Sequence, residues 1–190
     1  MKTKLLILTA SMALSFVGSA IAMTKDEYKA GETKISADYK SAKNTCGALK
    51  ANAKDICMSE AKGSEKVAKA ELEAQYKPSA KNTQKLAMAK GDAAYDTAKE
   101  KCDDAAGNAK DVCVKDAKAA HVKATEDAKV AKVAATTSAD KSEKVADAQK
   151  DATHEKREAD YKAAKERCDS QSGAAKDSCV SAAKVKFDMK

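Results

Sequence analysis

The stretch YDTAKEKCDDAAGNAKDVC, residues 95–113, is the middle of three versions of one phrase, and reading it decides the fold. A tyrosine, six residues, a cysteine, ten residues and a second cysteine recur as Tyr39–Cys46–Cys57, Tyr95–Cys102–Cys113 and Tyr161–Cys168–Cys179, using all six cysteines. A Lys-Asp pair precedes the second cysteine each time: Lys54-Asp55, Lys110-Asp111 and Lys176-Asp177. On one unbroken helix the two cysteines would stand about 16 Å apart, at roughly 1.5 Å per residue. A disulfide needs Cα atoms within about 7 Å. A continuous helix therefore forbids pairing within the phrase, and a helical hairpin permits it.

The residues between the cysteines favour the hairpin. Their midpoints are Ala51-Asn52, Gly107-Asn108 and Gly173-Ala174. In the second copy Gly107 suits a left-handed helix terminator and Asn108 an N-cap. Asp111 would then sit in the first turn, where a carboxylate meets the positive end of the helix dipole. The first copy keeps Asn52 as the cap but has Ala51 for the glycine, and the third keeps Gly173 but has Ala174 for the asparagine. The reading is three αα-hairpins, each closed by its own disulfide: Cys46–Cys57, Cys102–Cys113 and Cys168–Cys179. Free thiols, bridges between hairpins or chains, and metal ligation compete with it. Zinc ligands usually come in pairs two to four residues apart, and no such cysteine pair occurs, so no metal or other cofactor is expected.

The N-terminus bears on whether disulfides persist. Lys2 and Lys4 precede a mainly apolar run from Leu5 to Val17, and Ala20-Ile21-Ala22 offers a small-residue cleavage site. Residues 1–22 read as a signal peptide, with the mature chain starting at Met23. The run is short against the roughly 20 apolar residues a membrane helix needs, and no second one follows. No integral membrane span is expected in the mature chain. Export places the cysteines in an oxidising compartment, taken here as the periplasm, with full secretion the other possibility.

Composition sets two forces against each other. The chain is rich in Ala, Lys and Glu, strong helix formers. Yet Leu, Ile, Val and Phe total only 15 in residues 23–190, and tryptophan is absent. So little apolar surface is a signature of disorder. Closing a 12-residue loop contributes about 3 kcal/mol per bridge in the chain-entropy model, and three bridges rival the net stability of a small domain. The expectation is an all-α protein of long helices with thin, alanine-rich seams.

Helices are predicted near 24–50, 53–76, 79–106, 109–135, 138–172 and 175–187. Pro78 breaks the chain after Lys77 and can open the next helix. Thr137 and Asp140 are spaced like a capping box with Asp in place of Glu. The repeats then span 23–77, 78–137 and 138–190. Tyr28, Ile35, Tyr39, Cys46, Leu49 and Ile56 follow heptad-like spacing, the mark of a coiled-coil-like seam. Folded up and down, the six helices would carry all three disulfides at one end; extended, they would form a string of hairpins. Both remain open at this stage.

Little here points to catalysis. His121 and His154 lie 33 residues apart and read as exposed helical residues. No nucleophile elbow, glycine-rich loop or Cys-x-x-Cys is present, and no enzyme is expected. Without Lys2 and Lys4 the formal charge falls from +7 to +5, with bases and acids interleaved as in Glu155-Lys156-Arg157-Glu158. Such mixing marks a solvated helix surface, whereas nucleic-acid binding needs a concentrated basic stripe. No nucleic acid is expected as a partner. An unknown envelope protein or an anionic envelope polymer, and self-association, are the partners that fit.

Asp160-Tyr161-Lys162-Ala163-Ala164-Lys165-Glu166-Arg167-Cys168 and Gly107-Asn108-Ala109-Lys110-Asp111-Val112-Cys113 resemble repeats of small exported Ala/Lys-rich proteins of proteobacteria, loosely labelled cell-envelope biogenesis protein TolA-like. The resemblance covers nearly all of the mature chain, implies a helical envelope protein and transfers no functional residues. Thr97-Ala98-Lys99-Glu100-Lys101 resembles, over a short span, the repeats of group 3 late-embryogenesis-abundant stress proteins. Two functions follow as expectations: a non-enzymatic periplasmic spacer or interaction protein, or an envelope stress protectant that binds unfolded clients in a chaperone-like way.

Overall fold

A computed structural model of the chain describes residues 23–136 and 140–189. Residues 1–22, with the expected signal peptide, and residues 137–139, with Thr137 of the expected capping box, lie outside them. Among the described residues are six helices: α1 (Lys25–Cys46), α2 (Ala51–Tyr76), α3 (Ala80–Cys102), α4 (Gly107–Ala135), α5 (Lys141–Cys168) and α6 (Gly173–Lys186). The fold is all-α, as the sequence predicts, and each disulfide joins two consecutive helices.

The hairpin turns fall slightly earlier than predicted. The first helix of each hairpin ends at its cysteine, not at the midpoint of the phrase. There the ladder tightens to i→i+3 bonds, with Gly47 N–H donating to Asn44 O at 3.1 Å, Ala48 to Thr45 O at 3.2 Å and Leu49 to Cys46 O at 3.0 Å. These satisfy carbonyls that an α-helix end leaves orphaned. Lys50, Ala106 and Ser172 are extended, and the next residue turns left-handed: Ala51 at φ 50°, Gly107 at 57° and Gly173 at 56°. That residue opens the second helix, so α2, α4 and α6 start two positions before prediction. Asp111 consequently falls beyond the first turn of α4, which holds no acidic residue. Leu49 leaves the predicted seam for the turn and is 41% exposed.

At the other end, Pro78 precedes the helix instead of opening it. Ser79 is the N-cap of α3, its hydroxyl accepting from Asn82 N–H at 3.1 Å. Asn82 is buried and its carboxamide donates to Lys77 O at 2.7 Å, closing the break from inside. Thr24 and Glu27 form a reciprocal capping box at α1, Glu27 N–H donating to Thr24 Oγ1 at 3.2 Å and Thr24 N–H to Glu27 Oε2 at 2.7 Å.

Each helix packs only on its neighbours in the chain: α1 on α2, α2 on α3, and so on to α5 on α6. The six helices form a single layer with two open faces, the up-and-down alternative of the two the sequence leaves open. The buried apolar side chains are eight alanines, Leu72 and the first cysteine of each pair. Close approach replaces apolar bulk. A Cβ built on Gly63 of α2 would stand 2.8 Å from Ala93 Cβ of α3. Tyr28 and Tyr76 stack at 4.5 Å between centroids and tie the open end of the first hairpin.

Two substitutions test these features. The left-handed conformation costs a non-glycine residue about 1–2 kcal/mol, so Ala51→Gly should stabilise the oxidised protein by about 1 kcal/mol in denaturant titration; a loss of stability would refute the turn. Gly63→Ala should destabilise it, although alanine normally gains about 1 kcal/mol over glycine inside a helix. A stabilised Gly63→Ala protein would mean that α2 and α3 do not approach this closely.

Candidate functional site

The six predicted site residues pair as read. Cα separations are 5.5 Å for Cys46–Cys57, 5.6 Å for Cys102–Cys113 and 5.7 Å for Cys168–Cys179, and no cysteine is free. Cys46, Cys102 and Cys168 are each only 1% exposed, the most deeply buried large side chains described, while their partners are half-buried. Each bridge thus ties the last residue of one helix to the second turn of the next. A sulfur so enclosed is a poor target for thiolate attack, which requires access.

Polar residues around the bridges join the turns to one another. Asn52, expected from its neighbours to cap its own helix, reaches the next hairpin instead: its Nδ2 donates to Glu100 O at 2.8 Å and to Asp104 Oδ1 at 2.7 Å. Asn108 does the same one repeat later, donating to Glu166 O at 3.0 Å. Neither α2 nor α4 has a side-chain cap. The carbonyl at the end of a helix carries the negative end of its dipole and still offers a lone pair, so the carboxamide gains more by crossing. All three disulfides therefore lie at one end of the layer. Sequence reasoning could have found this role, because both asparagines stand five residues before a second cysteine; the N-cap preference masked it.

Within the second and third hairpins the Lys of the Lys-Asp pair closes the turn. Lys110 meets Asp103 at 3.0 Å and Lys176 meets Asp169 at 2.8 Å. The first copy has Gly47 in that place. Hydrogen bonding from Lys176 holds the Asp169 carboxyl below its ordinary range and raises the Lys176 ammonium above its own.

The histidines lie on separate helices. His154 of α5 is exposed as expected. His121 of α4 is not: it is half-buried, stacks on Tyr95 of α3 at 4.9 Å and pairs through Nε2 with Asp92 at 2.6 Å. An aromatic neighbour and a carboxylate across the interface hold it in. Ligand atoms of His154, Glu155 and Glu158 fall within 4.8 Å of one another. His154 and Glu155 are solvent-exposed and Lys162 already meets Glu158 at 2.6 Å, lowering its pKa, so the group is a surface ion cluster rather than an enclosed ligand set. The three repeat tyrosines are half-buried along their seams; Lys43 lies 5.3 Å from the Tyr39 ring centroid and Lys118 5.4 Å from that of Tyr95.

An open groove of about 850 Å³ lies over α4, α5 and α6. Ala119, Ala163, Ala183 and the Cys168–Cys179 bridge line it, and four of its charged residues pair with one another, Lys123 with Asp160 at 2.7 Å and Arg167 with Asp116. No described helix is long and apolar enough to cross a membrane, and the three disulfides fit an oxidising environment. What the surface offers is charge and shape on a disulfide-closed layer.

Carboxylates with lowered folded pKa values, Asp169, Glu158 and Glu27, give a pH dependence of known sign. Their contribution is present above the ordinary carboxylate pKa near 4 and is lost as pH falls through the lowered folded values. The melting temperature should decline on acidification through that window, and less so in Asp169→Asn. An identical acid profile in the variant would show that the Lys176 bridge is inert.

No protein-family model, no curated protein and no solved structure matches the chain.

Proposed function

We propose that this protein is a non-enzymatic spacer or interaction module of the cell envelope, exported to the periplasm, whose charged layer meets an envelope protein or an anionic envelope polymer. The observation that carries the reading is the single layer itself. Helices such as α4, with 29 residues, extend about 43 Å, and disulfides and cross-helix ion pairs hold them where a packed interior would otherwise be required. Such a plate keeps its shape without an enclosed cavity and presents both faces to partners.

The chaperone-like reading has less support. Binding of unfolded clients draws on exposed apolar surface, and the large apolar side chains exposed among the described residues are Leu49 and Val185, in the first and third hairpins. Thin, alanine-rich seams remain its one favourable feature.

Fractionation of a Gram-negative host expressing the full chain tests the proposal. Mass spectrometry of the periplasmic fraction should recover a chain starting at Met23 with three intra-repeat bridges. Photo-crosslinkers on the exposed faces should trap a defined envelope component. Recovery in the cytoplasm with free thiols would refute the location, and suppression of client aggregation without a crosslinked partner would favour the protectant.

A further inference from the structure

Each hairpin docks on the next through the same positions. Counting from the second cysteine of the donor hairpin, the residue five before it donates a side-chain hydrogen bond to a backbone carbonyl of the next hairpin: Asn52 to Glu100 and Asn108 to Glu166. The residue three after it is an acid that pairs with the base just before the next hairpin's first cysteine. Glu60 meets Lys101 at 3.0 Å, and Asp116 meets Arg167. The residue six after it is small: Gly63, closed on Ala93, and Ala119, buried in one cluster with Ala159. Ala93 and Ala159 each stand two residues before the repeat tyrosine. One register is used twice.

The third hairpin has lost all three elements on its outgoing side. Ala174 replaces the asparagine, Ala182 replaces the acid, and Val185, 83% exposed, replaces the small residue. At the opposite edge, α1 carries Thr45 where α3 and α5 carry the docking base. Ala37, in the place of Ala93 and Ala159, stays small and exposed. The terminal hairpins of a repeat array must differ from internal ones on their free faces.

We propose that these positions form a stacking code between hairpins, and that its removal at both edges caps the layer, so that a second copy of this chain does not extend it edge to edge. An internal hairpin accepts a neighbour because it offers a carboxamide, an opposite charge and room for close approach together. Val185 alone would hold an incoming helix away from the distance that Gly63 and Ala119 permit. Self-association through the edges is thereby excluded, and partners are confined to the open faces.

Writing the third hairpin's residues into the second tests the code in the full chain: Asn108→Ala, Asp116→Ala and Ala119→Val combined. Hairpin 3 should undock while its disulfide stays intact. Amide exchange in α5 and α6 should accelerate by about 100-fold, the scale of a local opening freed from the global one, with α1 and α2 unchanged. Those helices report whether the variant has folded. The wild-type chain should sediment as a monomer at every concentration. Unaltered exchange in α5 and α6 would overturn the code, and concentration-dependent association of the wild type that Val185→Asp abolishes would overturn the capping.

Discussion

Three covalent constraints carry this fold. In each, the backbone must reverse within four residues so that the last residue of one helix meets the second turn of the next. The requirement fixes the length of the turn and places a left-handed residue where the second helix opens. It also buries one sulfur per hairpin. In most domains of this size apolar area supplies the dominant favourable term, but here eight alanines and one leucine cannot. Entropy removed from the unfolded chain, at about 3 kcal/mol per bridge, takes that place. Exposed ion pairs between helices add little individually, typically under about 1 kcal/mol, and serve alignment more than strength.

The second level of organisation is lateral. Asparagine carboxamides cross from one turn to the next helix's terminal carbonyl, and alanines or glycine let the helices close. Because each helix touches only its chain neighbours, the molecule grows by addition, like a repeat protein, and stability is a sum over hairpins and their junctions. That architecture leaves the described helices with two broad open faces. The proposed role in spacing or contact rests on those faces.

Much of this was legible in the sequence. Cysteine spacing and the midpoint residues gave three hairpins and the pairing of all six cysteines, because the disulfide distance leaves one local solution. The breaks at Pro78 and in each turn were visible for the same reason: proline and left-handed residues have few places to go. Boundaries shifted by two to four residues because the end of each first helix is set by the bridge rather than by helix propensity. Asn52 and Asn108 were misread, since an asparagine before a helix looks identical whether it caps its own backbone or a neighbour's. His121 was misread as exposed because its burial depends on Tyr95 and Asp92, brought near only by the lateral packing. The choice between a folded layer and extended hairpins also rested on such junctions, whose signal is spread across two repeats.

The central claim, that sulfur bridges substitute for an apolar core, is tested most directly by circular dichroism of the exported chain before and after reduction. Helical ellipticity should fall substantially on adding reductant at neutral pH and return on reoxidation, since the alanine seams cannot hold the layer alone. A spectrum and thermal melt unchanged by complete reduction would contradict the account.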